Sequence, residues 1–163
     1  MHRKVTPTEL ALFTRSPVIG AWWEQLNKVD SKRAPKPKAD LLDQLLFESG
    51  HKHEEILIED LKANGKKVKK LSGKMTVEAF EETLDAMHDG QYDFIHQASL
   101  QNDELRGSAD LLERIDKPSK LGAWSYIPIE CKLSSHPKPI YLVQACEYCE
   151  LLEPILGHRT ENF

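Results

Sequence analysis

Apolar residues recur at steps of three and four positions along two stretches in the first half of the chain. The longer stretch covers residues 40–64 and is followed by Gly65, and the shorter covers 76–89 and is followed by Gly90. Such spacing gives a helix one apolar face, and glycine is favoured just beyond a helix end. We therefore predict two amphipathic helices, the second capped by Thr76. The inward periodic positions of the longer helix are predicted to be Leu42, Leu45, Leu46, Ser49, His53, Ile56, Leu57, Asp60 and Leu61.

The first 39 residues predict a further helical segment. Thr6-Pro-Thr-Glu9 has the residues of a capping box with proline in the first turn, so a helix is expected to run from there to Arg15. A second, short amphipathic helix is expected over residues 18–26. Residues 28–38 contain two prolines and several lysines, which predicts a loop.

The second half of the chain predicts strands and then a helix. After a short strand at 68–71, longer runs predict strands over 92–100, 105–114 and 124–133. Residues 137–156 return to a helical period. Helices, a strand meander and a closing helix together predict an α/β or α+β fold whose sheet is flanked by helices.

Length and composition are those of one ordinary globular domain. The 163 residues divide most simply into N-terminal helices with a basic loop (1–39) and a core (40–163). Apolar residues make up 40% and charged residues 29% of the chain, and no apolar run approaches the roughly 18 residues that cross a membrane. Three cysteines without disulfide spacing favour a reducing compartment. We expect a cytoplasmic protein without a membrane partner.

Charge is unevenly distributed along the chain. The net charge of −4, taken alone, disfavours binding to nucleic acid. Basic residues nevertheless cluster in two segments, which are Lys28, Lys32, Arg33, Lys36 and Lys38, and then Lys62, Lys66, Lys67, Lys69, Lys70 and Lys74. Such clusters can follow a phosphate backbone. The alternative is that they are solubilising loops.

A candidate metal site lies in the predicted strands. Asp110 is followed twenty residues later by Glu130-Cys131-Lys132. Residues i and i+2 of a strand share a face, so Glu130 and Lys132 are expected side by side, with Asp110 beside them on a neighbouring strand. Two carboxylates favour Mg²⁺ or Mn²⁺, and an ammonium group can orient a water molecule or stabilise phosphate charge. The alternative is an ion pair on a solvated strand face.

Further motifs accompany this site. Gln144 and Tyr148 are four residues apart and share a helix face, and Gly50-x-x-His53-Glu54 lies on the long helix. With Gly107-x-Ala-Asp110-Leu-Leu and Ile129-Glu130-x-Lys132, these segments resemble the RecB-like branch of the PD-(D/E)XK nuclease superfamily. The opening Thr6-Pro-Thr-Glu-Leu-Ala-Leu-Phe13, with Pro17 and Trp22-Trp23, also resembles the start of bacterial RecB-family nucleases.

The resemblance implies a restriction-endonuclease-like core with a central mixed sheet, and metal-dependent hydrolysis of DNA phosphodiesters, on single strands or DNA ends, in repair or recombination. By position, Asp110 and Glu130 would be Mg²⁺ or Mn²⁺ ligands, together with the backbone carbonyl of Cys131. His53 would be a further ligand, with Glu54 as the alternative. Lys132 would be the catalytic lysine. The residues that would position the DNA strand or Lys132 are Gln144 and Tyr148.

The chain also departs from these relatives. Many of them hold an iron–sulfur cluster on four cysteines, but this chain has three, and Ser16 stands where the first is expected, so no cluster is expected. Cys146 and Cys149 are expected to pack in the core. Relatives continue into further domains or helicases, so we expect a fragment or minimal version of a longer protein. These departures motivate a second hypothesis, a catalytically silent nuclease-like module for DNA binding or assembly.

Overall fold

The computed structural model of the protein describes residues 4–18, 20–22, 40–132, 134, 136, 138–160 and 162. It contains four well-bounded helices, α1 (Pro7–Arg15), α2 (Leu41–Ala63), α3 (Val77–Asp89) and α4 (Pro139–Leu156). Residues 17, 18 and 20–22 are also helical. The rest of the predicted helix at 18–26 and the basic loop at 28–38 lie outside the described residues.

Four strands form one mixed sheet in the order β1-β2-β3-β4. The strands are β1 (Val68–Lys70), β2 (Phe94–Gln101), β3 (Arg106–Ile115) and β4 (Ser125–Ile129). β1 is parallel to β2, and the later pairs are antiparallel. The predicted α/β arrangement, with a mixed sheet flanked by helices, is confirmed.

Local signals in the sequence set the helix ends. Glu9 Oε2 accepts hydrogen bonds from the Thr6 N–H at 3.0 Å and from the Thr6 hydroxyl at 3.1 Å, so α1 begins where its capping residues predict. Thr76 caps α3 by accepting from the Ala79 N–H at 3.2 Å. Gly90 ends α3 with a φ of 65°, a left-handed conformation that glycine adopts readily.

The core lies between the sheet and the helices that cover it. α3 packs against β2, α4 packs against β2, β3 and β4, and α1 packs on α4, whereas α2 contacts β1. The fully buried residues of the core cluster come from strands and from α3 and α4, and include Met87, Ile95, Ala98, Leu100, Leu112, Tyr126, Leu151 and Leu152. Burying such side chains removes apolar surface from water and fixes the strands that carry Asp110 and Glu130.

Three details of the sequence prediction are wrong. Along α2, Leu42, Leu45, Leu46 and Ile56 are 64%, 51%, 57% and 50% exposed rather than inward, and Ser49, His53 and Asp60 are exposed as well. Cys146 is exposed, although Cys149 is buried as expected. β4 ends at Ile129, so the Glu-x-Lys segment follows the strand instead of lying within it. Among the helices that the structure describes, none is long and apolar enough to cross a membrane.

Candidate functional site

Two carboxylates meet at the end of β4. Asp110 lies within β3, and Glu130 directly follows β4. Leu111 pairs with Ile129 across these antiparallel strands. Continuing that register by one residue brings Asp110 opposite Glu130, and residues in opposite positions share a face of the sheet. The sheet itself therefore brings together two acids that are twenty residues apart.

Lys132 joins the two carboxylates. Its Nζ lies 2.9 Å from Asp110 Oδ2 and 2.7 Å from Glu130 Oε2. The backbone N–H of Cys131 donates to the same Asp110 oxygen at 2.9 Å. The contact with Glu130 is a close ion pair, and Lys132 is the cation that balances this buried oxygen. Asp110, Glu130 and Lys132 thus converge, and Lys132 bridges the two carboxylates.

The electrostatics follow from this crowding of charge. Burial raises the pKa of Glu130, the charge of Asp110 raises it further, and Lys132 opposes both. Burial lowers the pKa of Lys132, but its contacts with Asp110 and Glu130 outweigh burial, so the net shift is upward. Lys132 is therefore a charged ammonium group at neutral pH. Burial, and then the charges of Asp110 and Glu54, raise the pKa of Cys131 to about 12, so its thiol stays neutral.

The long helix α2 supplies a third carboxylate. Glu54 is 16% exposed in its side chain, and its Oε2 accepts from Gln97 Nε2 at 3.0 Å and lies 3.3 Å from His96 Nε2. The neighbouring His53 is exposed. Of the two alternatives that the sequence leaves open, Glu54 is the residue whose charge acts on Glu130 and which lines a cleft together with Lys132.

Glu54 and Lys132 line one open cleft of about 670 Å³. Its other lining residues include two aromatic side chains, two basic ones and a serine, namely Phe47, Tyr141, His51, Lys138 and Ser134. Lys138 Nζ lies 5.8 Å from the centroid of the Tyr141 ring, a cation–π distance. The cleft thus combines one carboxylate with lysines and aromatic rings, and the lysines favour an anionic ligand.

Tyr148 and Gln144 lie on α4, behind this cleft. The Tyr148 ring is 5% exposed, and its hydroxyl donates to the Ser108 carbonyl at 2.8 Å. That bond ties α4 to β3 two residues before Asp110. Burial, and then the charges of Glu130 and Asp110, raise the pKa of Tyr148, so it remains a hydrogen-bond donor. Gln144 is half-buried and is not among the described residues that line the cleft.

The donor set fits a hard divalent cation in chemical kind. Asp110, Glu130 and Glu54 offer carboxylate oxygens, the ligands that Mg²⁺ and Mn²⁺ prefer. Within the described residues, however, no three His, Cys, Asp or Glu side chains already stand close enough to hold a metal ion. Ion binding would therefore require Lys132 to leave its bridging position and the carboxylates to draw together.

His96, Gln97 and Ser108 also belong to this site, although no sequence motif marks them. Their only signal is a pair of polar residues, His96-Gln97, that interrupts the apolar run Phe94-Ile95 and Ala98-Ser-Leu100. A polar residue in the middle of a core strand is costly to bury unless it has a hydrogen-bond partner, and here that partner is Glu54.

Three comparisons with known proteins extend the description no further. No protein-family model, no curated protein and no solved structure matches this chain. The functional interpretation therefore rests on the residues and their geometry.

Proposed function

We propose that this chain is a metal-dependent DNA nuclease with a restriction-endonuclease-like core, acting on single strands or DNA ends. The observation that carries the proposal is the convergence of Asp110, Glu130 and Lys132, with Lys132 Nζ within 2.9 Å of both acids. Two carboxylates and one lysine at an open cleft are the groups that phosphodiester hydrolysis with a hard cation requires.

Asp110 and Glu130 would hold Mg²⁺ or Mn²⁺, with Glu54 as the third carboxylate and the Cys131 carbonyl as a backbone ligand. When bound, such a cation lowers the pKa of a water molecule and stabilises charge on phosphate oxygens. The Cys131 N–H holds Asp110 Oδ2 at 2.9 Å, so Asp110 keeps its orientation whether or not Lys132 remains in contact.

Lys132 would act on the reacting phosphate. Its raised pKa keeps it charged at neutral pH, and released from one carboxylate it can orient the attacking water or stabilise negative charge as the phosphodiester bond breaks. Tyr148 would act indirectly, because its hydroxyl fixes the Ser108 carbonyl and with it the β3 segment that carries Asp110.

DNA is the substrate that the charge distribution supports. Lysines cluster where α2 ends and β1 begins, and those that are exposed are Lys62, Lys66, Lys67, Lys70 and Lys74. Exposed lysines gain affinity for phosphates by releasing counterions. The three free cysteines agree with action in the cytoplasm, and a helicase or further domain would deliver the strand.

A cleavage assay tests this proposal. The protein is incubated with end-labelled single-stranded and duplex DNA, and with RNA of the same sequence, in Mg²⁺, Mn²⁺ or EDTA. We expect metal-dependent cleavage of DNA, reduced by at least about 10²–10³-fold in Asp110→Asn, Glu130→Gln and Lys132→Ala. Preferential cleavage of RNA would show that RNA, and not DNA, is the substrate.

Matched controls separate chemistry from folding. Asp116→Asn and Lys117→Ala change the same residue types at exposed positions between β3 and β4, and both are expected to cleave like the wild type. Cleavage at the wild-type rate in all three site variants would show that the activity does not belong to this site.

A second function is favoured by one specific observation. Lys132 pairs with both carboxylates, and an ammonium group in that position neutralises the charge that would attract a cation. In this alternative the chain is a catalytically silent nuclease-like module that binds DNA within a larger assembly. Salt-dependent DNA binding that survives EDTA, without product, would favour the module, whereas turnover with metal would exclude it.

A further inference from the structure

Gln97 has an unusual backbone conformation in the middle of a core strand. Its φ is 57°, and it is the only non-glycine residue with a positive φ among those that the structure describes. L-residues rarely adopt this left-handed region because the β-carbon crowds the backbone. His96 pairs with Leu111 and Ala98 with Ala109, so Gln97 stands opposite Asp110, at the proposed metal site.

The left-handed residue changes where the side chains of β2 point. In a regular strand, consecutive side chains lie on opposite faces of the sheet. Here His96 and Gln97 are consecutive, yet both reach the same Glu54 oxygen, at 3.3 and 3.0 Å. The unusual φ therefore has a local effect, which is to direct two neighbouring side chains at one carboxylate.

Both ends of the Gln97 amide are used. Its Nε2 donates to Glu54, and its Oε1 accepts from the Ser108 hydroxyl at 3.1 Å. This pairing fixes the amide, since the opposite flip would set its oxygen against a carboxylate. Gly73 leaves the necessary room, because a β-carbon there would lie 2.6 Å from Gln97 Oε1.

Glu54 needs such support because its helix is weakly packed near the site. Phe47 and Leu46, both about two turns before Glu54, are 65% and 57% exposed. Asp110 and Glu130, by contrast, are placed by the paired strands β3 and β4. Side chains that hydrogen-bond a carboxylate ligand orient it and tune the metal.

We propose that Gln97 is a positioning residue, held in a left-handed conformation so that it holds Glu54 at the cleft that Lys132 also lines, from where Glu54 would become the third carboxylate of the cation site. The proposal rests on the proposed function for its metal, but not for its geometry. His96 is the secondary support, and Ser108 sets the orientation of the Gln97 amide.

The first test measures Mn²⁺ affinity by electron paramagnetic resonance of the free ion. Gln97→Ala and Glu54→Gln are each expected to weaken Mn²⁺ binding roughly 10–100-fold. Gln101→Ala is the matched control: it removes a glutamine from the same strand whose Oε1 accepts from Lys4 Nζ at 2.9 Å, away from the site. This control should bind Mn²⁺ like the wild type.

A double variant and a glycine variant separate positioning from general stability. If Gln97 acts through Glu54, Gln97→Ala should weaken binding no further in a Glu54→Gln background. Gln97→Gly should lose as much Mn²⁺ affinity as Gln97→Ala but melt at a higher temperature, because glycine relieves the unfavourable φ. A merely structural residue would instead show affinity and melting temperature falling together.

Crystal structures of the metal-free wild type and Gln97→Ala complete the test. We expect the Glu54 carboxylate to leave its wild-type position in the variant. Glu54 unmoved, or Gln97→Ala with wild-type Mn²⁺ affinity, would overturn the proposal. If the wild type binds no Mn²⁺ yet Glu54 moves in Gln97→Ala, the proposed function fails and the positioning role of Gln97 stands.

Discussion

The two sides of the proposed site are built differently. On the sheet side, β3 and β4 are hydrogen-bonded neighbours, and Leu111, Leu112 and Tyr126 are at most 2% exposed. On the helix side, the first turns of α2 leave Leu42 and Leu45 more than half exposed. The strands on the sheet side are fixed by burial in the core. On the helix side, Glu54 is held by hydrogen bonds from Gln97 and His96.

This difference teaches how each ligand would be held. Asp110 and Glu130 take their positions from strand register, which a side chain cannot change without unpairing the sheet. Glu54 takes its position from Gln97 and His96, side chains that can be altered while the fold remains. Variants on the two sides should therefore fail differently, with lost stability on the sheet side and lost metal affinity on the helix side.

The largest expected effect is on the free energy of unfolding, when one leucine from each side is replaced. Leu112→Ala removes a fully buried side chain from β3 and should lower the free energy of unfolding by about 2–5 kcal/mol, because it leaves a cavity. Leu45→Ala removes a side chain that is 51% exposed and should change it by no more than about 0.5 kcal/mol. Urea denaturation measures both, and equal losses would contradict the contrast.

A buried acid on α4 gives the next largest effect, a dependence of stability on pH. Glu147 is 7% exposed, neither carboxylate oxygen has a hydrogen-bond partner among the described residues, and burial raises its pKa to about 7. The folded state then binds its proton more tightly than the unfolded chain, whose value is near 4.5. The contribution of Glu147 to stability should be most favourable below pH 4.5, fall as pH rises toward 7, and stay level above it.

Glu147→Gln removes this penalty. The variant should be roughly 2 kcal/mol more stable than the wild type at pH 8, with the gain disappearing near pH 4.5. Thermal unfolding across pH 4–8 measures the difference, with exposed Glu150→Gln as the control. A gain that is independent of pH would show that Glu147 does not titrate in this range.

Two glycines test whether the space around the Gln97 amide matters for metal binding. Gly65 and Gly73 both have positive φ, of 80° and 65°, but only Gly73 has Gln97 against its missing β-carbon. Gly65→Ala and Gly73→Ala should each lose about 1 kcal/mol of stability from backbone strain. Only Gly73→Ala should also weaken Mn²⁺ binding, since its methyl group would displace the Gln97 amide. Equal Mn²⁺ affinity in the two variants would remove Gly73 from the account.

The smallest expected effect lies away from the site. Lys66→Gln and Lys74→Gln, near the end of α2 and beyond β1, should each weaken single-stranded DNA binding several-fold and reduce the salt slope by about 0.7. Lys117→Gln, exposed in the loop after β3, is the control and should leave both unchanged. Fluorescence anisotropy at several salt concentrations gives the slopes, and identical slopes for all three would discard this surface as a DNA contact.

The sequence predicts the elements well because their signals are local. Thr76 and Gly90 bound α3 through contacts within a few residues. Asp110 lies on β3 and Glu130 directly follows β4, so the pairing of these strands brings the two acids together. The choice between His53 and Glu54 is not local, because it depends on the rotation of α2 against the sheet. The apolar stripe of α2 is largely exposed, as at Leu42 and Leu45. The position of this stripe therefore does not predict which face of the helix packs against the sheet.

The left-handed conformation of Gln97 could not be predicted for a related reason. Positive φ is signalled by glycine or asparagine, and a glutamine between His96 and Ala98 gives no such signal. Its partners, Glu54 and Ser108, lie 43 residues before it and 11 after it in the chain. Only tertiary structure brings these groups together.

In the proposed site, Asp110, Glu130 and Glu54 bind one cation together, and Lys132 acts on the phosphate beside it. The most direct test is a crystal soaked in Mn²⁺ and measured at an anomalous wavelength. The account predicts a peak within roughly 2.3 Å of oxygens from all three carboxylates, with Lys132 Nζ withdrawn from between Asp110 and Glu130. A map with no peak there, and Lys132 still bridging the two acids, would contradict it.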